Sequence, residues 1–219
     1  MEEITVLNEN YKIIQNNNGF KFSIDAVLLS DFFNAKKNSK VLDIGTGNGI
    51  IPVLLVMKDK AEDITGIDIQ EESTDLARRN IKLNNLEDKI DIVTGDIKKF
   101  SKGNTFDVII SNPPYMSVDG KKINPNDSKA IARHEIALDL KELVKAAKRL
   151  LKPVGTFYLV HRSYRVVEIC RTLEENNFCV KRLKFVYFSK EHNSNLVLIE
   201  ATKGKKYKLE IESPLFLNE

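Results

Sequence analysis

The stretch VLDIGTGNGI, residues 41–50, decides how this chain is read. Val41, Leu42 and Ile44 form a short apolar run of the kind that makes a buried strand. Gly45, Gly47 and Gly49 then recur at every second position. Glycines at a strand exit permit a tight turn and let backbone approach a ligand closely. Alone, a G-x-G-x-G spacing is weak evidence, because a plain tight turn explains it. Its weight comes from what stands at matching places further along the chain.

Working outward, KVLDIG (40–45), DITGIDI (63–69), KIDIVTG (89–95), FDVIIS (106–111) and GTFYLVH (155–161) read as strands. They are apolar nearly throughout, as expected of strands covered on both faces. Helical spacing fills intervals between them. EESTDLARRNIKLNNL (71–86) carries Leu76, Ile81, Leu83 and Leu86 in a polar background. LDLKELVKAAKRLLK (138–152) sets Leu140, Leu143, Val144, Ala147, Leu150 and Leu151 on one side. Strand–helix alternation implies a parallel α/β sheet with helices on both faces. VKRLKFVYFS (180–189) and NLVLIEATK (195–203) are separated only by KEHNS, too short for a parallel crossover. They are expected to pair as an antiparallel terminal hairpin at the sheet edge, with YKLEIE (207–212) as a further short strand. At the other end, ITVLNENYKIIQ (4–15) reads as a hairpin or strand. SIDAVLLSDFF (23–33) reads as a helix N-capped by Ser23, with Ala26, Val27, Leu29, Phe32 and Phe33 on its apolar face. The expected division is a short extension, residues 1–35, before a main domain, residues 36–219.

Two acidic residues reinforce the glycine turn. Asp68 ends the second strand run and can accept hydrogen bonds from ribose hydroxyls. Asp96 ends the third, where its carboxylate or the adjacent backbone can read an adenine amino group. Both sites fall at carboxyl ends of parallel strands, where open α/β sheets bind ligands. No phosphate-loop lysine follows the glycines, which argues against nucleoside triphosphate hydrolysis.

The fourth run ends in Asn112, Pro113, Pro114 and Tyr115. A dehydrogenase has no need of that tetrad. It suits methylation of a planar amino group, whose nitrogen becomes tetrahedral and charged as it attacks. The Asn112 side-chain oxygen and the Pro113 carbonyl can each accept an N–H, favouring that state over the ground state. Proline fixes φ and brings no competing donor, and Tyr115 can stack on the flat face. Adenine N6 in DNA or RNA, guanine N2 in RNA and a glutamine amide all satisfy this chemistry.

Together, DIGTGNG, GIDI, GDI and NPPY resemble the S-adenosylmethionine-dependent methyltransferases with the Rossmann-like fold. The resemblance runs from Lys40 to about Lys203 and implies a seven-stranded, mostly parallel sheet whose last strand is antiparallel. It implies that Gly45, Gly47 and Gly49 pack against the methionine part of the cofactor. Asp43 would organise the turn and the methionine amino group, Asp68 the ribose and Asp96 the adenine. Ile69, Ile97 and Asn112 join that cofactor set. Within this class the chain most resembles the bacterial valine-tRNA adenine-N6 methyltransferases. The residues that carry this are NGFKFSIDAVLLSDF (18–32), NPPY, ARHE (132–135) and LLKPVGTFYLVHR (150–162). It implies that Phe22, Asp25 and Ala26 close over the methionine end, and that residues 116–135 border the target base. The expected substrate is tRNA. A structural Arg133–Glu135 brace is favoured over a catalytic role for Arg133, His134 or Glu135. A cofactor-sensing RNA-binding subunit is the non-enzymatic alternative, but a pure binder needs neither tetrad nor glycine turn.

Composition agrees with an ordinary globule: 42% hydrophobic and 30% charged residues, with no apolar run of the length that spans a bilayer. The acidic N-terminus lacks a signal-peptide core, and Cys170 and Cys179 fit reduced thiols, so the expectation is a cytoplasmic monomer without metal or membrane attachment. Net charge is only +3. An RNA-binding role would require the lysine clusters at 36–40, 121–122, 181–184 and 203–208 to share one face.

Overall fold

The computed structural model describes residues 2–16, 24–114 and 139–218. Phe22, the expected cap Ser23, Tyr115, Lys121, Lys122, Arg133, His134 and Glu135 lie outside the described residues.

Strands β1 (Glu2–Val6) and β2 (Lys12–Asn16) form an antiparallel hairpin. Helix α1 (Ile24–Phe32) follows. The α/β alternation then runs β3 (Lys40–Ile44), α2 (Ile50–Met57), β4 (Asp63–Asp68), α3 (Glu71–Leu83), β5 (Ile90–Thr94) and β6 (Phe106–Ser111). It continues with α4 (Leu140–Leu150), β7 (Leu151–Arg162), α5 (Val166–Glu175), β8 (Phe178–Tyr187) and β9 (Ser194–Lys203). Two-residue strands β10 (Glu210–Ile211) and β11 (Leu215–Phe216) close the chain.

The main sheet has the order β10-β8-β9-β7-β6-β3-β4-β5, with β11 also on β8. Its seven long strands are parallel except β9, which runs antiparallel to both neighbours, β7 and β8. The expected terminal hairpin is present, but its second strand lies inside the sheet. The edge belongs to β8, extended by the two short strands.

The alternating side chains of the sheet feed two cores. Val41, Ile110, Tyr158 and Leu198 point to the side of α1, α2 and α3. Leu42, Ile44, Ile109, Phe157 and Ile199 point to the side of α4 and α5. Burial of both faces is why these strands are apolar throughout. Ala26, Leu28, Leu29, Phe32 and Phe33 of the N-terminal segment sit in the first core beside Val41. The end of α1 is tied down by cations, as free helix carbonyls require. Lys60 Nζ donates to the carbonyls of Ser30, Asp31 and Phe33 at 2.8, 2.6 and 2.9 Å. Arg182 donates to Phe32 O at 2.7 Å, stacks on the Phe32 ring, and is itself held by Glu200 and Glu212.

Helix α3 and its exit bury Ile81 and Leu86 as expected, but not Leu83. Thr74, Ala77, Asn80 and Ile81 are buried, whereas Leu83 is exposed. The cause is that α3 packs partly against the backbone of β2 instead of an apolar surface. Alternate residues of an antiparallel strand turn their N–H and C=O away from their partner. At Ile14 those groups meet Asn80: Ile14 N–H donates to Oδ1 at 2.6 Å and Nδ2 donates to Ile14 O at 3.1 Å. One helical turn on, Asn84 makes the same pair with Lys12, at 2.9 and 2.7 Å. Two carboxamides thus stand in for a neighbouring strand.

Helix α4 keeps its expected apolar side and starts with a capping box between Asp139 and Glu142. It stops at Leu150, and Leu151 already pairs in β7 with Phe106.

Candidate functional site

The ends of β3, β4, β5 and β6 form a cleft. The glycine turn at the exit of β3 has φ of +76° at Gly45, +56° at Gly47 and +79° at Gly49, a region open to glycine without strain. A Cβ at Gly45 or Gly47 would meet nothing within 4 Å, so both leave room on the outer side of the turn. A Cβ at Gly49 would come within 3.3 Å of Ala77 Cβ, so the third glycine serves the approach of α2 to α3.

Asp68, at the end of β4, is buried. Its Oδ2 accepts from Gly47 N at 3.0 Å and its Oδ1 from Gln70 N at 3.0 Å. One carboxylate therefore fastens the turn to the next strand while facing the cleft, which it also lines. Asp96 is half-buried and closes its own turn by accepting from Lys98 N. Beneath them, Asp43 is fully buried, and neither of its oxygens has a hydrogen-bond partner among the described residues. The Thr46 hydroxyl and Asn48 Nδ2 are likewise buried and unpartnered. Burial foremost pushes the Asp43 carboxyl up to about 7. The Thr46 hydroxyl, close to the carboxyl but out of hydrogen-bonding geometry, offsets part of the shift, and the Asp68 carboxylate adds to it. Four orphaned polar atoms on one turn are costly unless a ligand satisfies them.

Of the expected site residues, Gly45, Asp68, Ile69, Asp96, Ile97, Pro113 and Pro114 line the cleft. Ile69 is 46% exposed, an apolar surface that a flat ring would cover. Asp43, Gly47 and Gly49 belong to the turn below and beside it, and Asn112 is half-buried at the exit of β6. Asp25 and Ala26 are buried in the first turns of α1 and do not line the cleft.

Several contributors escaped sequence reasoning. Ser111 lines the cleft and donates from Oγ to Ile44 O at 2.8 Å. That bond joins the exits of β6 and β3, so Asn112-Pro113-Pro114 emerges beside Gly45. Asn80, besides holding β2, donates to Asn48 O at 2.9 Å and so reaches the glycine turn. Gly66 is required in β4: a Cβ there would lie 2.7 Å from Thr46 Oγ1 and 2.8 Å from Ile92 Cδ1. A glycine inside an otherwise apolar strand was the available signal for that close approach. His161, at the end of β7, is buried and neutral. Burial first, then Arg165, push it down to about 4, and its Nδ1 accepts from Arg162 N.

A mostly parallel sheet with helices on both faces, a glycine turn with open space above it and acids ending the next two strands define an α/β protein of the nucleotide-cofactor-binding class. Residues 20–186 match the family described as Methyltransferase small domain, and the chain belongs to that family. It is 36% identical over 140 residues to the tRNA1(Val) (adenine(37)-N6)-methyltransferase of Phocaeicola vulgatus, covering 64% of this chain and 58% of that protein. A relative of the same name from Flavobacteriaceae bacterium strain 3519-10 is 25% identical over 95% of this chain and 87% of its own. The match to the first of these thus spans less than two thirds of the relative's length. Among solved structures, a predicted O-methyltransferase from Agrobacterium tumefaciens superposes with a TM-score of 0.68. That structure is 21% identical, over 88% of this chain and 87% of its own, and shares the fold.

Proposed function

We propose that the protein transfers a methyl group from S-adenosylmethionine to the N6 amino group of adenine in tRNA, at the adenine beside the anticodon of a valine tRNA. The observation that carries this reading is the placement of Asn112-Pro113-Pro114 beside the glycine turn, fixed by the Ser111–Ile44 bond. The names of the relatives support the tRNA substrate.

The turn fits the cofactor chemically. Its orphaned groups suit an amino acid zwitterion: Asp43 for the ammonium, Thr46 and Asn48 for the remaining polar atoms. Asp68 would hold the ribose, and Asp96 with the apolar flanks of Ile69 and Ile97 the adenine. Phe22, Asp25 and Ala26, within the extension of residues 1–35, would cap the methionine end. When bound, S-adenosylmethionine supplies an electrophilic methyl group on a sulfonium.

The chain's own part is presentation. The exocyclic nitrogen of adenine is a poor nucleophile because its lone pair is delocalised into the ring. The Asn112 side-chain oxygen and the Pro113 carbonyl accept its two N–H bonds, and hold them more strongly as the nitrogen turns tetrahedral and positive. Tyr115, assigned from the motif alone, stacks on the base. The extra proton leaves after attack, so no strong base is needed first. An anticodon loop offers bases already splayed from a helix, which lowers the cost of delivering one to the cleft. The enzyme acts as a monomer in the cytoplasm in this reading; among the described residues no helix is long and apolar enough to cross a membrane.

The test is labelled methyl transfer from S-adenosylmethionine into total tRNA, rRNA, DNA and protein, with nucleoside and amino-acid analysis of the product. N6-methyladenosine in tRNA is expected. Methylglutamine or N2-methylguanosine without it overturns the reading.

A further inference from the structure

The lysine clusters that stand out in the sequence are largely neutralised in the fold. Lys37 meets Asp59 at 2.6 Å and Glu62 at 3.7 Å, and Lys40 meets Asp63 at 3.9 Å. Lys181 and Arg182 share Glu200, and Arg182 and Lys184 share Glu212. The 203–208 run begins where β9 ends. Because β9 is reversed, that point lies at the amino ends of the parallel strands, away from the cleft.

Helix α4 is different. Lys141, Lys145 and Lys148 are exposed and spaced by four and three residues, so they stand on one outward face. None of them forms an ion pair with another described residue. The neighbouring carboxylates are engaged elsewhere. Glu142 caps its own helix and meets Lys98 at 3.7 Å. Glu168 is held by Arg165 through two hydrogen bonds, and Lys141 is the weakest of the cations acting on it. Like charges at these spacings destabilise a free helix by about 0.2–0.5 kcal/mol per pair.

The direction of the helix matters as much as its charge. The sheet fixes the C-terminal end of α4: the helix is followed directly by β7, and Asn104 N and Thr105 N, just before β6, donate to Arg149 O and Leu150 O. It therefore starts on the cleft side and ends at the amino edge. With a rise of 1.5 Å per residue, Lys141 and Lys148 are about 10 Å apart along the axis. One strand of a DNA duplex presents a phosphate about every 3.4 Å along its axis, and an RNA duplex sets them somewhat closer, so the stripe spans at least about three. Lys203, which Lys148 affects electrostatically, prolongs the line and donates to Leu151 O at 2.6 Å.

We infer that the outward face of α4, carrying Lys141, Lys145 and Lys148, is a track for the phosphate backbone of an RNA stem whose loop delivers its base to the cleft beside Asn112. This rests on the RNA reading of the site, and it places the stem along the α4 side of the sheet. The stripe reads charge and spacing, not sequence, so base choice stays with the cleft.

The test uses the full chain with K141Q, K145Q and K148Q combined, since glutamine keeps helix propensity close to that of lysine. Binding of an unmodified tRNA transcript is measured across a salt series, beside S-adenosylhomocysteine affinity and transfer at saturating RNA. Loss of about three phosphate contacts should lower the slope of log K against log salt by about 2–3. At low salt the Kd for RNA should rise at least about 10-fold, with cofactor affinity and saturated rate unchanged. A comparison variant, K205Q with K206Q and K208Q, removes the same charge from the far edge and should change the slope by less than about 1. An unchanged slope in the α4 variant overturns the track, and so does an equal loss in both variants. If the wild-type chain methylates DNA or protein and not RNA, the proposed function fails before the track is reached. If it methylates tRNA and the α4 variant does so with the same KM, only the track fails.

Discussion

Replacing Asn80 with alanine removes three hydrogen bonds at once. Its carboxamide accepts from Ile14 N and donates to Ile14 O and Asn48 O, and Asn80 is fully buried. Each polar group left buried without a partner costs about 1–3 kcal/mol. Allowing water to reach part of the gap, the expected loss is about 3 kcal/mol, a large share of the roughly 5–15 kcal/mol that holds a domain together. Asn84→Ala is the internal control. It removes the equivalent pair with Lys12 and a further donation to Asn80 O at 2.7 Å, but at a half-buried position whose Lys12 bonds lie at the surface where water replaces them, so about 1 kcal/mol is expected. Urea unfolding gives both values, read as a lower midpoint at constant slope. A second readout separates anchoring of the hairpin from support of the glycine turn. Only Asn80 touches the turn, so affinity for S-adenosylhomocysteine should drop in Asn80→Ala and hold in Asn84→Ala. Asn80→Asp should do no better than alanine near neutral pH, since it turns an oxygen toward two carbonyls. The reasoning fails if Asn80→Ala unfolds within about 0.5 kcal/mol of wild type, or if the two alanine variants behave alike in both measurements.

Three further outcomes are expected. Asn112→Ala should keep cofactor binding and lose about 100-fold or more in turnover, and single-turnover rates near wild type would remove Asn112 from the chemistry. Asp43 has a folded pKa raised to about 7 from 3.8, so the native state binds the extra proton between those values. Stability should therefore fall as pH rises from about 4 through about 7, and Asp43→Asn should flatten that dependence while weakening cofactor binding; equal pH profiles of melting temperature for the two proteins would contradict it. Gly66→Ala places a methyl against Thr46 and Ile92 and should cost about 1–3 kcal/mol; a midpoint shift near zero in denaturant would show that the turn yields freely.

The strands were legible because both faces of the sheet are buried, which leaves runs such as 108–110 apolar without interruption. The glycine turn and Asp68 were legible because backbone conformation and a short acid at a strand end are local properties. The face of α3 was legible only in part: Ile81 and Leu86 are buried as expected. Apolar spacing suggested Leu83, but the buried position went to Asn80, whose polarity is satisfied by backbone from 66 residues away. The charge clusters misled for a related reason. Lys181 looks free in the sequence, and it is neutralised by Glu200 across the β8–β9 pair. Strand β10 was legible from the alternation of YKLEIE (207–212), whereas the two-residue β11 has no such pattern and forms where β8 offers an open edge.

The anchoring of α1 has a consequence for synthesis. The carbonyl of Phe32 waits for Arg182, 150 residues later, and the neighbouring Asn34 O waits for the Tyr158 hydroxyl, 124 residues later. At roughly 5–20 residues per second, a ribosome takes about 8–30 s to supply Arg182 after Phe32 has emerged. For most of that interval Phe32 and Phe33 lack the ring of Tyr158, and throughout it Phe32 lacks the guanidinium of Arg182. The nascent chain thus carries an incompletely covered aromatic pair until β8 is complete, a natural point for a chaperone to hold it.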